Sequence, residues 1–379
     1  MTRTIILLLF FLTACSAKKQ SSEIQFQTSL DSLIEEWHDQ NQFDGTVLIS
    51  HRGNIIYTKA TGLANRVWKE PAAIDTKYHI ASISKSMIAC LVLQLVDEGK
   101  LRLDDPVMKF VPNFKDDLAS KITLHHLLTH TSGMGHYEVI PDSLHQQNYR
   151  NFKRWNLPRE EYIDRLVQYP LLSAPGEKFN YSSFAYYILM DIVEKTEIKP
   201  FAQVLKERIT TPLGMENTLS PNSNEQVVEK FAEAYNWLQQ PDSTFAYERN
   251  QFIDISLGIT IYSTVGDLHK WGEALTKPTL LSEKSLALMK TNHLTEIGMN
   301  YGYGLAIHPE NSEQPMGNLG IRSAYFLHGG ALEGYRAMLT VVNDGEWIVT
   351  HLSNVGDRTN ELKLSSTILK IITEPTYEK

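Results

Sequence analysis

Ser82-Ile83-Ser84-Lys85-Ser86-Met87-Ile88-Ala89-Cys90-Leu91-Val92-Leu93-Gln94-Leu95-Val96 is the most apolar helical run of the chain, and Gly99 follows as a C-terminal stop. From Met87 to Val96 every residue except Gln94 is apolar. A helix apolar on all sides is a buried one, so the rest of the fold must close around this run, with Cys90 inside it as a structural residue. Ser82 and Lys85 lie three apart, which places both side chains on one face of the first turn. There the positive end of the helix dipole and partial burial favour a lysine that serves as base towards the Ser82 hydroxyl. The same spacing also describes a serine N-cap followed by an ordinary surface lysine, so this run alone does not assign a chemistry.

On either side of this run the chain supplies sheet. Upstream, Leu30, Leu33, Ile34 and Trp37 have helical spacing, which predicts an amphipathic helix over about 30–41. Two strands follow, Gly45 to Ser50 and Asn54 to Thr58, joined at His51-Arg52-Gly53. At the far end, Tyr335 to Val342 and Glu346 to Leu352 flank Asn343-Asp344-Gly345, a hairpin signal, and 359–373 read as a closing helix. Both ends therefore offer a helix and an antiparallel hairpin, and together they predict one sheet. Between them, from about Ser82 to Thr291, helical runs are broken at Asp104-Asp105-Pro106, Ala174-Pro175-Gly176 and Pro212-Leu213-Gly214. The expected class is α/β in the α+β sense: an antiparallel sheet built from both termini and flanked by helices, with a mostly helical insertion over about 82–291. The junction of the two parts is where a cleft belongs.

Composition sets the bounds. The 379 residues are 42% hydrophobic and 21% charged, which is globular, and contain neither repeat nor low-complexity tract. The formal charge is −8, or −9 once a leader carrying Arg3 is removed, and the basic residues are scattered, which argues against nucleic acid as a partner. Arg3 precedes an unbroken apolar run from Ile5 to Leu12, too short to span a bilayer and typical of a signal-peptide core. Leu12-Thr13-Ala14-Cys15 follows and resembles the bacterial lipobox. The expected organisation is a signal peptide over 1–14, a tether over 15–27 beginning at a lipidated Cys15, and a single folded domain over 28–379. That places the protein in the bacterial cell envelope, held to a membrane by its lipid. A lipidated Cys15 cannot pair with Cys90, so no intrachain disulfide is expected.

Two further motifs stand downstream in order. Ala174-Pro175-Gly176-Glu177-Lys178-Phe179-Asn180-Tyr181-Ser182-Ser183 places a tyrosine in a turn, and Leu327-His328-Gly329-Gly330-Ala331 places a cationic or hydrogen-bonding side chain before glycines on a strand edge. With Ser82-x-x-Lys85 they resemble the class C β-lactamase-related family, which includes D,D-carboxypeptidases, D-aminopeptidases and related esterases. Five further phrases extend the resemblance along nearly all of the chain. They are Glu98 to Val107, Leu127-Leu128-Thr129-His130-Thr131-Ser132-Gly133-Met134, Pro212 to Thr218, Tyr262-Ser263-Thr264 and Tyr301-Gly302-Tyr303-Gly304-Leu305.

The resemblance implies that Ser82 is a nucleophile, with Lys85 and Tyr181 as its proton-transfer partners and His328 as the residue opening the third motif. It implies an oxyanion hole from the backbone N–H groups of Ser82 and Ala331, with Gly329 and Gly330 beside it. It calls for no cofactor and no metal. The implied substrate is a small ester, amide or peptide, of cell-wall origin in the peptidase reading. One position departs from the family: Ser183 stands where Asn is usual, and serine is shorter with a single donor, which weakens contact with an acylamino group. Esterase or peptidase chemistry is therefore expected ahead of efficient β-lactam hydrolysis. The alternatives are a β-lactamase proper and a non-catalytic penicillin-binding sensor of the same fold. His126 and His130, four apart, lack the intervening Glu of a metalloprotease helix, and no Gly-x-Ser-x-Gly elbow occurs.

Overall fold

The computed structural model describes residues 25–136, 159–221, 226–240, 242, 245–249, 260–332, 334–356 and 358–373. The expected terminal sheet is present. Strands β1 (Gly45–His51), β2 (Asn54–Thr61), β3 (Ala306–His308), β4 (Tyr325–Leu332), β5 (Tyr335–Val342) and β6 (Trp347–Ser353) form one antiparallel sheet in the order β2-β1-β6-β5-β4-β3. The two ends of the chain meet where Gly45 pairs with Ser353 and His51 with Trp347. Arg52 and Gly53, at φ +51° and +80°, make the tight β1–β2 turn, because two left-handed residues match the twist of the flanking strands. Asn343, Asp344 and Gly345 all have positive φ and reverse the chain between β5 and β6.

Alternation along the strands divides the core in two. Val47, Ile49, Met338 and Val349 face helix α1 (25–39) and the C-terminal helix Glu361–Thr373, meeting Leu30, Ile34, Trp37, Leu364 and Ile368. The opposite face presents Leu48, Leu339, Val341 and Ile348 to the helical region. Its centre is helix α2 (Ser84–Asp97), buried from Ser84 to Leu95, and Cys90 is 1% exposed within it. Helix α3 (Leu124–Leu128) and helix α4 (Ser183–Glu197) pack nearby, α4 against both α2 and α3. Helix α5 (Val265–Ala274) lies on the sheet, and a side chain at Gly272 would stand 3.0 Å from Ile348.

The helical region also holds short strand pairs that the sequence does not signal. Tyr78–His79 pairs with Tyr262–Ser263, and Tyr235–Gln239 pairs with Phe245–Arg249. Two-residue strands are too short to carry a period. The first pair matters for the site, since it fixes the chain just before Ser82.

Candidate active site

Ser82 sits on a forced bend. Ile80 N–H donates to the Ile261 carbonyl at 3.0 Å, continuing the Tyr78–His79 pairing, and the chain then turns through Ala81 at φ +45°. A left-handed conformation at a residue with a Cβ costs on the order of 1–2 kcal/mol. His79 supports the bend, its Nδ1 accepting the Ala81 N–H at 2.8 Å. Residues Ala81–Ile83 form a 3-10 turn and α2 starts at Ser84 with Ile83 as its N-cap and no side-chain cap. The ordinary N-cap explanation of Ser82 is thereby excluded. Ser82 is half-buried between two buried neighbours, and its hydroxyl faces Lys85.

Lys85 is 1% exposed, and its Nζ donates to Ser82 Oγ at 2.9 Å and to Ser183 Oγ at 3.2 Å. No carboxylate of a described residue pairs with it. Nζ lies 4.9 Å from the Tyr181 ring centroid and 5.8 Å from that of Tyr186. The Tyr301–Leu305 phrase holds this helix turn in place: Gly304, at φ +71°, lies so close that a Cβ would come within 2.8 Å of the Lys85 backbone.

Tyr181 is half-buried and immediately precedes α4, whose N-cap is Ser182. Ser182 Oγ accepts the Ala185 N–H at 3.2 Å and donates to the Gly135 carbonyl at 2.7 Å. Ser183 is the first helical residue, 8% exposed, with its N–H on His136 Nδ1 at 3.3 Å and its hydroxyl against Lys85.

Strand β4 brings the third motif. Its pairing with β3 ends at Leu327, so the edge from His328 to Leu332 is left open and lies against the Ala81–Ile83 turn. His328 Nδ1 donates to the Gly329 carbonyl at 2.6 Å, which leaves Nε2 to accept the Tyr301 hydroxyl at 3.0 Å. Burial, reinforced by the Lys85 charge, pushes His328 down to about 3. Of the two expected roles, cationic or hydrogen-bonding, the contacts show the hydrogen-bonding one. Both ring nitrogens are engaged away from Ser82, and the Tyr181 and His328 rings stand 6.5 Å apart.

The two glycines grouped in the sequence have different surroundings. A Cβ at Gly330 would lie 2.2 Å from the Ile80 carbonyl oxygen, two residues before Ser82. A Cβ at Gly329 would meet only ordinary contacts on the other sheet face, 3.4 Å from Met338 and 3.8 Å from Glu361. Close approach of the strand to the serine turn thus depends on Gly330, and Gly329 belongs to the far face. Ala331 follows, exposed beside that approach.

Four of the residues expected at the site, Ser82, Lys85, Tyr181 and Ser183, converge around the Lys85 amine, with His328 beside them. Tyr301 carries no signal of its own in the sequence, and its role becomes visible once the sheet brings it to His328. His126 does not turn towards His130; its Nδ1 engages Thr123 at the start of α3. Among the described residues no group of three or more His, Cys, Asp or Glu has metal-holding geometry. Cys15 lies outside the described residues.

Comparison with known proteins bears on the family and the fold. Esterase EstB of Burkholderia gladioli is 34% identical over 196 residues, 49% of this chain and 49% of the esterase, so the alignment spans about half of that relative. A penicillin-binding protein of Bacillus subtilis (strain 168) is 27% identical over 350 residues, covering 86% of this chain and 71% of its own. The octameric penicillin-binding protein homologue from Pyrococcus abyssi superposes with a TM-score of 0.74 at 25% identity, over 91% of this chain and 77% of that one. The family profile described as Beta-lactamase matches residues 30–369. With the sheet made from both termini, the buried Lys85 set against Ser82 and a profile match over nearly its whole length, this chain belongs to the beta-lactamase family.

Proposed function

We propose that the protein is a serine hydrolase that forms an acyl-enzyme at Ser82 on small esters or short amides and peptides. The observation that carries this reading is the Lys85 amine, buried, without a carboxylate partner among the described residues and 2.9 Å from the Ser82 hydroxyl. In acylation the Ser82 oxygen attacks the substrate carbonyl while its proton passes to Lys85, acting in its unprotonated form, and Lys85 hands that proton through Tyr181 to the leaving group. The carbonyl oxygen becomes an oxyanion held by the Ser82 and Ala331 N–H groups at the open β4 edge. The leaving alcohol or amine departs protonated, and water attacks the Ser82 ester by the reverse proton path to release the acid. His328, neutral and tied to Tyr301, supports the strand and contributes no charge.

Substrate preference follows from Ser183. Its hydroxyl meets Lys85 at 3.2 Å, so this short side chain takes on the orienting of the lysine and does not extend to a substrate's acylamino group. Small esters and amides are favoured over β-lactams on that basis, and the kinship with an esterase supports the same choice. The test is a panel of short-chain p-nitrophenyl esters, D-amino-acid amides, D-Ala-terminated peptides and a chromogenic cephalosporin, assayed on wild type and Ser82→Ala. An ester or amide should be hydrolysed fastest and Ser82→Ala should abolish it. Faster cephalosporin turnover than every ester and amide would show a β-lactamase, and stable acylation without turnover a penicillin-binding sensor.

We also propose that the chain is exported and anchored by a lipid on Cys15, from the lipobox alone. Cys15→Ala should then lose metabolic palmitate labelling, and a wild type that carries no lipid would remove the proposal.

A further inference from the structure

His130 is used by no step of the reaction above, yet it is fully buried and carries two unfavourable features. Its backbone is left-handed, at φ +58°, and its Nε2 is buried with no hydrogen-bond partner among the described residues. An apolar residue in this place would avoid the second cost, and glycine or asparagine would ease the first. A histidine kept under both conditions calls for something only its ring supplies.

What it supplies is visible at Tyr181. The His130 carbonyl accepts the Asn180 N–H at 2.8 Å, and His130 Nδ1 accepts the Ser182 N–H at 3.1 Å. The residues on both sides of Tyr181 are therefore tied to one residue of the Leu127–Met134 phrase. The His130 ring also lies under the Tyr181 ring, 4.4 Å between centroids and tilted by 38°, within a cage completed by Phe179, Tyr186 and Tyr301. An acceptor Nδ1 must be unprotonated, and burial first, then the Lys85 charge, hold this imidazole neutral. The hydrogen on Nε2 then points among aromatic rings, which accounts for its lack of a partner.

We propose that His130 is a positioning residue that fixes Tyr181 over Lys85 by clamping the backbone on both sides of it. The inference rests on the reading of Tyr181 as a proton-transfer group. Without the acceptor on Ser182 N–H, the turn before α4 loses one of its two ties, and a displacement on the order of 1 Å at a reacting group lowers the rate about a hundredfold.

The test uses p-nitrophenyl acetate as probe, with kcat, KM and melting temperature measured for His130→Leu, His130→Asn, Tyr181→Phe and Tyr181→Phe/His130→Leu. Leucine fills the aromatic cage without an acceptor. Asparagine places Oδ1 about where Nδ1 stood and tolerates the left-handed backbone. The expected results are a kcat lowered roughly 10- to 100-fold in His130→Leu with KM within about twofold, and His130→Asn within about fivefold of wild type. In the Tyr181→Phe background, His130→Leu should cost nothing further, because the group it positions is already gone. Should Tyr181→Phe keep wild-type kcat, the underlying reading of Tyr181 falls and this inference with it. Should Tyr181→Phe be crippled while His130→Leu costs the same factor in both backgrounds, the reading of Tyr181 stands and the positioning role is overturned. If His130→Leu does not fold, His130→Asn decides: near-normal kcat supports the clamp, and a hundredfold loss in a normally melting protein overturns it.

Discussion

Replacing Gly330 with alanine should disable the site through a contact that involves no catalytic side chain. The added Cβ would stand 2.2 Å from the Ile80 carbonyl oxygen and 3.1 Å from its carbon, with Ala337 Cβ at 3.3 Å behind it. Backbone cannot rotate away as a flexible side chain does, so strand β4 and the serine turn must part by about 0.8 Å to reach the 3.0 Å below which real Cβ contacts are essentially never found. That displacement falls between Ser82 and Ala331, the two residues whose N–H groups are proposed above to converge on one oxyanion. A misplacement of this size corresponds to about a hundredfold in kcat/KM, or roughly 2.7 kcal/mol of transition-state stabilisation. Gly329→Ala is the matched control, since its Cβ meets Met338 and Glu361 at 3.4 and 3.8 Å, on the far face. Ester hydrolysis by both variants, with melting temperatures alongside, reads the difference. Gly330→Ala with wild-type kcat/KM, or Gly329→Ala as impaired as Gly330→Ala, would refute the argument that Gly330 sets the approach of the strand to the Ser82 turn.

Lys85→Met fills the same buried space without an amine and should lower the acylation rate by about 10²- to 10⁴-fold, read as the p-nitrophenol burst, with the protein still folded. Tyr301→Phe removes the donor to buried His328 Nε2, and should cost about 1–3 kcal/mol of unfolding free energy in urea as well as activity. Acid should destabilise the fold through its buried histidines. Burial, with His293 and His126 nearby, pushes His125 down to about 4, and burial pushes His351 down to about 3. An unfolded histidine titrates near 6.5, so between that value and the folded ones the unfolded chain binds more protons. The contribution is therefore full above about pH 6.5 and is lost progressively as pH falls through about 4 and then 3. His125→Gln should flatten the upper part of this decline in urea titrations at pH 7.5 and 4.5, and an unchanged slope would show that His125 does not cause it.

The sheet was legible in the sequence because its signals are local: the β-rich run over Tyr335 to Val342, the Asn343-Asp344-Gly345 reversal, and the matching strand pair near the other end. The Ser82–Lys85 contact was legible too, since both residues lie on one turn. What the residues could not show was how separate turns pack against one another. Gly329 and Gly330 are adjacent and chemically identical, and only the position of the Ile80 carbonyl distinguishes them. Tyr301 stands 27 residues before His328 and meets it through the sheet. The only local pattern around His130 is its spacing from His126, whereas its polar contacts run 50 residues and more downstream to the turn around Tyr181. The start of α2 at Ser84 was similarly hidden, because the bend at Ala81 depends on the pairing of Tyr78–His79 with Tyr262–Ser263.

The central claim, that Ser82 takes the acyl group, is tested most directly by time-resolved intact-protein mass spectrometry with an activated ester, followed by peptide mapping of the adduct. The expected result is a transient increment of one acyl group on the peptide containing Ser82, which decays as product forms and is absent in Ser82→Ala. Turnover of the ester by Ser82→Ala at the wild-type rate, or an adduct mapped to a different residue, would contradict it.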